Sequence, residues 1–508
     1  MPDKRRVEDT FAGSVADRGP LWGLRVAARG NDPGARYAAW LLGCLGARRV
    51  RSDRADFVIE PGDDAAHPFD DWASSGAMAL TGRSDGPPLP APGGPATAVR
   101  GGLLAIQALA ARMGRSPVLP DFRLLGERAA TAGFTRRGPY APGGTFQLLR
   151  ALGGRWIGVN LARQDDLDLV PALTERQVGE GAHWEAVTAW AASRPADACA
   201  ERGELLGIPV SVLGTPGATD AQLAARAQRG RVRPFLLNSA GEAQALTGCE
   251  RPLVVDLSAL WAGPLCAQLL GLTGARVVKV ESTTRPDGAR RGPRAFYDLL
   301  HEGHEAVALD FADPADLGVL RALIYRAHVI VESSRPRAMA QLGIDPYAIL
   351  ARTPGLTWVS ITAYGRTGPW SGRVGFGDDV AVAAGLVARD EIGALPCGDA
   401  IADPLAGVHA AVAALACIGA GGGRLVDVAM RESAAAAVAL HFDNVPARAG
   451  HPVLPPVARV PSVRAAAHGE HSQAVIESLG LRPGRPGSRS RAVRAGAPPA
   501  GSSSRKPQ

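Results

Sequence analysis

Lysine is almost missing from this chain: Lys4, Lys279 and Lys506 are three among 508 residues, and arginine carries the positive charge. Cysteine is scarce and scattered. The six (Cys44, Cys199, Cys249, Cys266, Cys397, Cys417) form no Cys-x-x-Cys, which fits reduced thiols in the cytoplasm and argues against a structural zinc site. The ten histidines form no His-Glu-x-x-His, so a metal enzyme gains no support. Long apolar runs are also lacking. The most apolar stretch, Leu405 to Ala420, is rich in alanine, contains His409 and falls short of the ~20 residues a membrane span needs, so a buried helix is expected. Met1 to Phe11 is polar and charged, without the apolar core of a signal peptide.

What is present is enough for a folded core. Hydrophobic residues make up 46% and charged residues 21%, outside the range of disordered chains. At roughly 100–200 residues per domain, the length predicts about three domains. The net charge of +7 taken alone points to nucleic acid, but its distribution does not. From His451 onward there are eight Arg and one Lys against two Glu, a surplus of seven, so the first 450 residues are near neutral. The basic end has no interleaved aromatics to stack bases, and its Pro, Arg, Gly and Ser content predicts a mostly disordered tail over 451–508 with one helical piece at 473–479.

An internal echo organises the rest. Residues 41–50 read LLGCLGARRV and residues 269–278 read LLGLTGARVV. Further on, Phe57–Glu60 parallels Val329–Glu332, and Asp70–Ala73 parallels Asp378–Ala381. Apolar runs alternating with Ala/Leu-rich helical stretches predict a parallel α/β sheet. In the fuller copy, strands are expected at 253–256, 277–280, 306–309, 329–331, 358–361 and 424–428. Helices are expected at 263–272, 379–388 and 404–417. Between the copies, Trp156–Val159 reads as a strand and Trp184–Ala192 as a helix, a different α+β pattern. The predicted organisation is a flexible start (1–20), a shortened α/β unit (21–115), a smaller α+β domain (120–235), a linker (236–250), a full α/β unit (251–450) and the tail.

Asp403 stands in Ile401-Ala-Asp-Pro-Leu-Ala-Gly407. Asp-Pro before an alanine-rich run is by itself a common helix start, with Asp as N-cap and Pro at the first helical position. The same geometry offers chemistry. A carboxylate at a helix N-terminus stays ionised in a positive field and can attack a thioester carbonyl.

Residues 252–433 resemble the large domain of the family III CoA-transferases, which includes formyl-CoA transferase, carnitine CoA-transferase and α-methylacyl-CoA racemase. The resemblance rests on an ordered series: Val255-Asp-Leu, Ala262-Gly-Pro, Gly274-Ala-Arg-Val-Val-Lys-Val-Glu281, Val307-Ala-Leu-Asp310, Val331-Glu, Arg335-Pro and Leu342-Gly-Ile-Asp345. It continues through Ser360-Ile, Tyr364-Gly, Thr367-Gly-Pro369, Ala402-Asp, Gly407 and Val426-Asp-Val428. It implies a Rossmann-like parallel-sheet large domain, with residues 21–115 as a degenerate copy, and assigns Asp403 as the nucleophile. Gly143 and Gly144 match the glycine-rich loop that closes over that aspartate, although their bland reading is a plain turn. Thr97 would occupy the position of Asp403 in the first copy, leaving one active site per chain.

The resemblance also implies substrates and partners. Coenzyme A and acyl-CoA would be substrates rather than resident cofactors, and a carboxylic acid would accept CoA. No metal, nucleic acid or membrane is expected, and the assembly would be a homodimer or an intrachain pseudo-dimer. Trp261, Ala262, Leu300, Ser333, Ser334, Arg335, Thr362 and Tyr364 fall at CoA-lining positions, with Arg335 suited to a phosphate. Some family cations are missing: His304-Glu305, Gln341 and Ser282 stand where basic residues are common. Either Arg285, Arg290 and Arg291 compensate or CoA affinity has decayed. Two alternatives remain open on sequence. One is a racemase or epimerase, which needs two groups to exchange the α-proton; Gly375-Phe-Gly-Asp378-Asp379 has no His. The other is a decayed CoA-binding scaffold.

Overall fold

The structure, a computed structural model, describes residues 19–61, 67–214, 233–245, 250–440 and 451–480. The expected flexible start up to residue 18, part of the linker and the tail beyond 480 lie outside the described residues.

The dominant element is a seven-stranded sheet in the order β10-β9-β8-β11-β12-β15-β7. Its strands are β7 (Phe235–Ser239), β8 (Leu253–Asp256), β9 (Arg276–Ser282), β10 (Glu305–Leu309), β11 (Val329–Glu332), β12 (Thr357–Thr362) and β15 (Arg424–Ala429). All pair in parallel except β7, which runs antiparallel against β15. Residues expected to be linker thus form an edge strand. Successive side chains alternate between two apolar layers, as the two-residue strand period requires. Leu253 and Val255 join the layer holding helix Pro314–Arg326, while Val254 faces helices Ala262–Leu272 and Ala402–Gly419. The strand order winds outward in opposite directions from β8 and β11, which are parallel neighbours. This is the switch point of a doubly wound sheet, where a crevice opens beyond the carboxyl ends of the strands.

The first unit is smaller. Strands β1 (Arg25–Ala28), β2 (Arg48–Arg49) and β3 (Phe57–Ile59) form a parallel sheet in the order β2-β1-β3. The two echoed segments each end a helix, turn through a glycine with positive φ (Gly46 and Gly274) and enter a strand. The first unit has no core of its own. Its helices Pro33–Cys44 and Pro95–Arg112 share one continuous apolar cluster with helices Ala262–Leu272 and Ala402–Gly419. Gly102 permits the close approach, because a Cβ there would run into Val408. Among the described residues the Ala402–Gly419 helix alone is long and apolar enough to cross a membrane, and it is nearly all buried in this cluster. The smaller unit is an antiparallel sheet of β4 (Phe146–Arg150), β5 (Trp156–Asn160) and β6 (Val210–Val212), covered by helices His183–Ala192 and Ala196–Leu206.

Two further expectations change. The helix expected over 379–388 ends at Ala383, because Gly385 turns the chain with φ +85° into hairpin β13 (Val387–Arg389) and β14 (Ala394–Pro396). Residues 451–480, expected to be mostly disordered, follow a defined path. Arg459 pairs with Glu127 at 2.5 Å, His471 bonds Ala306 on the β10 edge, and helix Ser472–Ser478 buries Val475 and Ile476.

Candidate active site

A cavity of about 220 Å³ opens at the switch point. Ala259 and Leu260 follow β8, Ser333 to Arg335 follow β11, and Ile361 to Ala363 end β12. Gly375, Phe376 and Asp403 close its inner side.

Buried ion pairs hold the two loops at the mouth. Lys279 is fully buried between Asp256 and Asp287, at 3.4 and 3.1 Å, and donates to the Ser258 carbonyl. Burial opposes its charge, but the two carboxylates outweigh burial and raise its pKa. Asp287 in turn accepts the Leu260 N–H at 2.9 Å. Leu260 sits at φ +69°, a conformation that an L-residue holds only when its surroundings fix it. On the other side, buried Glu332 accepts the Ser334 N–H at 2.8 Å and pairs with Arg366 at 2.9 Å.

Asp403 lies in the first turn of the Ala402–Gly419 helix, not at its cap, which is Ile401. The plain N-cap reading therefore does not hold. Its carboxylate faces the N–H of Gly377. Only glycine fits there, since a Cβ at 377 would overlap Asp403 Oδ2 and the Ala400 carbonyl. Burial pushes the Asp403 carboxyl up to about 7, with Asp378 and Asp399 adding repulsion and Arg128 opposing. Asp378 is raised to about 7 as well, by burial first and then by Asp399.

The sequence-predicted residues divide into two sets. Ala262, Ser333, Ser334, Arg335 and Thr362 line the cavity together with Asp403. The other five stand off it. Leu300 is a core side chain with 1% exposure, and Tyr364 is buried against Trp370. Trp261 packs on Phe296 and beneath the Arg128 guanidinium. Gly143 and Gly144 form a turn whose Gly143 backs onto Arg128 and Asp399 rather than onto the cavity.

Arg335 stands on the rim. Burial lowers its pKa, and Arg337, Arg163 and Arg285 lower it further by repulsion. That crowding of cations favours an anion at the mouth. Arg290, expected among the compensating cations, is committed elsewhere: it pairs with Glu281 at 2.5 Å and lies over Tyr297. Sequence reasoning missed Arg128, Asp399, Leu260 and Arg373. None sits in a recognisable motif, and Arg128 arrives from helix Glu127–Ala132, far away in sequence.

In the first unit Thr97 is fully buried and donates to Asp71 at 2.5 Å. Arg100 bridges Asp71 and Asp32 at 3.1 and 3.0 Å. Thr97, Asp71, Asp32 and Arg100 thus engage one another, and Arg100 Nη2 has no hydrogen-bond partner among the described residues.

Residues 252–461 match the family described as CoA-transferase family III. The match covers 210 of the 508 residues. The chain is 29% identical over 200 residues to the succinyl-CoA–D-citramalate CoA-transferase of Chloroflexus aurantiacus, covering 36% of this chain and 50% of that protein. It is 27% identical over 237 residues to the succinate–glutarate CoA-transferase of Agrobacterium fabrum, covering 41% of this chain and 59% of that protein. A CAIB/BAIF family protein from Brucella suis aligns at 26% identity over 39% of this chain and 56% of its own, with a TM-score of 0.35. The chain spans about half the length of the curated relatives it matches.

Proposed function

We propose that this chain is a family III CoA-transferase that moves CoA between an acyl-CoA thioester and a free carboxylic acid through Asp403. One observation carries the reading: the Asp403 carboxylate borders a cavity at the switch point of the sheet, reached past a rim of arginines. Asp403 attacks the thioester carbonyl, the C–S bond breaks, and CoA leaves as thiolate with a mixed anhydride left behind. The thiolate attacks the aspartyl carbonyl, releasing the donor carboxylate and leaving an aspartyl-CoA thioester. The acceptor carboxylate then attacks that thioester, expelling thiolate and forming a second anhydride. Thiolate attack on its acyl carbonyl gives the new acyl-CoA and frees Asp403. Thioester energy is conserved, and CoA enters only as substrate. The Gly377 N–H, facing the carboxylate, is suited to charge developing on the aspartyl oxygens.

We further read residues 21–115 as a pared-down copy of the large domain, so the chain pairs two such units within itself. The shared strand–helix–strand order and the echoed glycine turns support this. The internally bonded Thr97 supports a single active site. The test is incubation with a panel of acyl-CoA donors and labelled acids, followed by intact-mass detection of a CoA adduct and hydroxylamine trapping. Asp403→Asn abolishes the adduct and Thr97→Val keeps it. An adduct that survives Asp403→Asn overturns the assignment. Deuterium wash-in at the α-carbon without an acceptor acid would favour the racemase alternative, and no reaction at all the scaffold.

A further inference from the structure

The turn that launches the Asp403 helix is clamped from three sides. The Gly398 N–H donates to Thr81 Oγ1 at 2.8 Å. Asp399, with no exposed surface, accepts two hydrogen bonds from Arg128 at 2.7 and 2.5 Å. The Ala400 N–H donates to Asp378 Oδ1 at 2.8 Å. The clamps hold something that would otherwise relax. Ala400 lies at φ +46°, which is costly for an L-residue, and its carbonyl receives the Asp403 N–H at 2.9 Å. A turn that released Ala400 would carry Asp403 with it.

Two of these clamps come from outside the family-matched segment. Thr81 and Arg128 belong to the first 132 residues, whereas the match begins at 252. Arg128 is itself held in place: its guanidinium lies 5.6 Å from the Trp261 ring and 5.9 Å from the Phe134 ring, and Gly143 leaves room beside it. It faces three carboxylates, Asp378, Asp399 and Asp403. Arg128 does not line the cavity; the arginines that do are Arg335 and Arg373, and Arg373 is paired with Glu204.

We propose that Arg128 is a positioning residue for Asp403, acting through Asp399 to fix the 398–401 turn and setting its cation against the three carboxylates, with Thr81 as a second clamp. The proposal rests on the transferase reading above. It gives the first half of the chain a task in catalysis that the strand pattern does not reveal.

The experiment uses the full chain and compares Arg128→Met, Arg128→Lys and Thr81→Val with wild type. The readouts are the rate of hydroxylamine-trapped adduct formation against pH, the acyl-CoA concentration dependence, and thermal unfolding. In Arg128→Met the rate is expected to fall about tenfold or more. The acidic limb of kcat/KM should move up by about one pH unit, because the cluster has lost its cation, and KM should stay within about twofold. Arg128→Lys should keep the limb near wild type while losing rate, since the charge remains without the fork. Thr81→Val should slow the reaction with the limb unmoved. A folded Arg128→Met protein with an unchanged limb overturns the proposal, whatever its rate, because a merely structural role would not tune the acid. If Arg128→Met does not fold, Asp399→Asn decides: a slower reaction with the limb moved to lower pH supports the proposal, and an unchanged rate and limb overturns it. A wild-type protein that forms no adduct sinks the transferase reading itself, and this inference with it.

Discussion

Tyr37 and His409, 372 positions apart in sequence, meet with Oη and Nε2 2.9 Å from each other in the shared helix layer. Both are buried, and burial lowers His409 to about 3, so the contact joins a phenol to a neutral imidazole. It is a polar tie between the two α/β units inside an otherwise apolar interface. Tyr37→Phe keeps the packing but removes the partner of the Nε2 atom. The variant is expected to lose about 1–3 kcal/mol of stability by denaturant titration, with the loss concentrated in that one bond.

With the proposed role, the ionisation of Asp403 would link stability to activity. Its carboxyl is raised from 3.8 to about 7, so the unfolded chain releases this proton more readily than the folded one. That stability is fully present below the unfolded value and is lost as pH rises through the folded value. Asp403→Asn is therefore expected to abolish turnover while raising Tm by a few degrees at pH 8. At pH 4 the Tm should match wild type. A lower Tm at pH 8 would contradict this electrostatic account.

The buried histidines act in the opposite sense. His301 and His304 lie with rings 5.5 Å apart and no hydrogen-bond partner for any ring nitrogen among the described residues. Burial lowers His304 to about 3, and lowers His301 well below 6.5. A depressed folded value leaves full stability above the unfolded pKa, and that stability is lost as pH falls. Each such histidine should cost about 1.4 kcal/mol per pH unit below 6.5. His304→Leu should flatten the decline between pH 6.5 and 5, as read from urea midpoints at stepped pH.

Lys279 is one of three lysines in the sequence and lies deep in the fold. Lys279→Met leaves Asp256 and Asp287 buried without their cation and is expected to cost about 3–5 kcal/mol. Because Asp287 also holds Leu260, residual folded protein should bind acyl-CoA more weakly, measurable by titration calorimetry.

The parts that were legible in sequence share a physical cause. Leu253-Val-Val-Asp and Val329-Ile-Val are buried on both faces, so they read as continuous apolar runs bounded by polar turns. Asp403 was legible only through the ordered motifs around it, since Asp-Pro alone marks any helix start. Arg128 was not legible, because nothing local distinguishes an arginine that will reach across to residue 399. Leu260 at positive φ carries no signal either, as its conformation is imposed by Asp287 and not by its own preference. Phe235–Ser239 read as linker because five residues beside Pro234 and Gly241 give too short a period to register.

That short strand sets a limit on how the molecule can be divided. With β7 bonded along β15 from Phe235 to Ser239, a cut placed at residue 251 to isolate the family-matched half would strip a whole row of hydrogen-bonding partners from the sheet border. The exposed backbone would then be a template for pairing with another molecule, and the excised piece would self-associate rather than behave as a miniature enzyme.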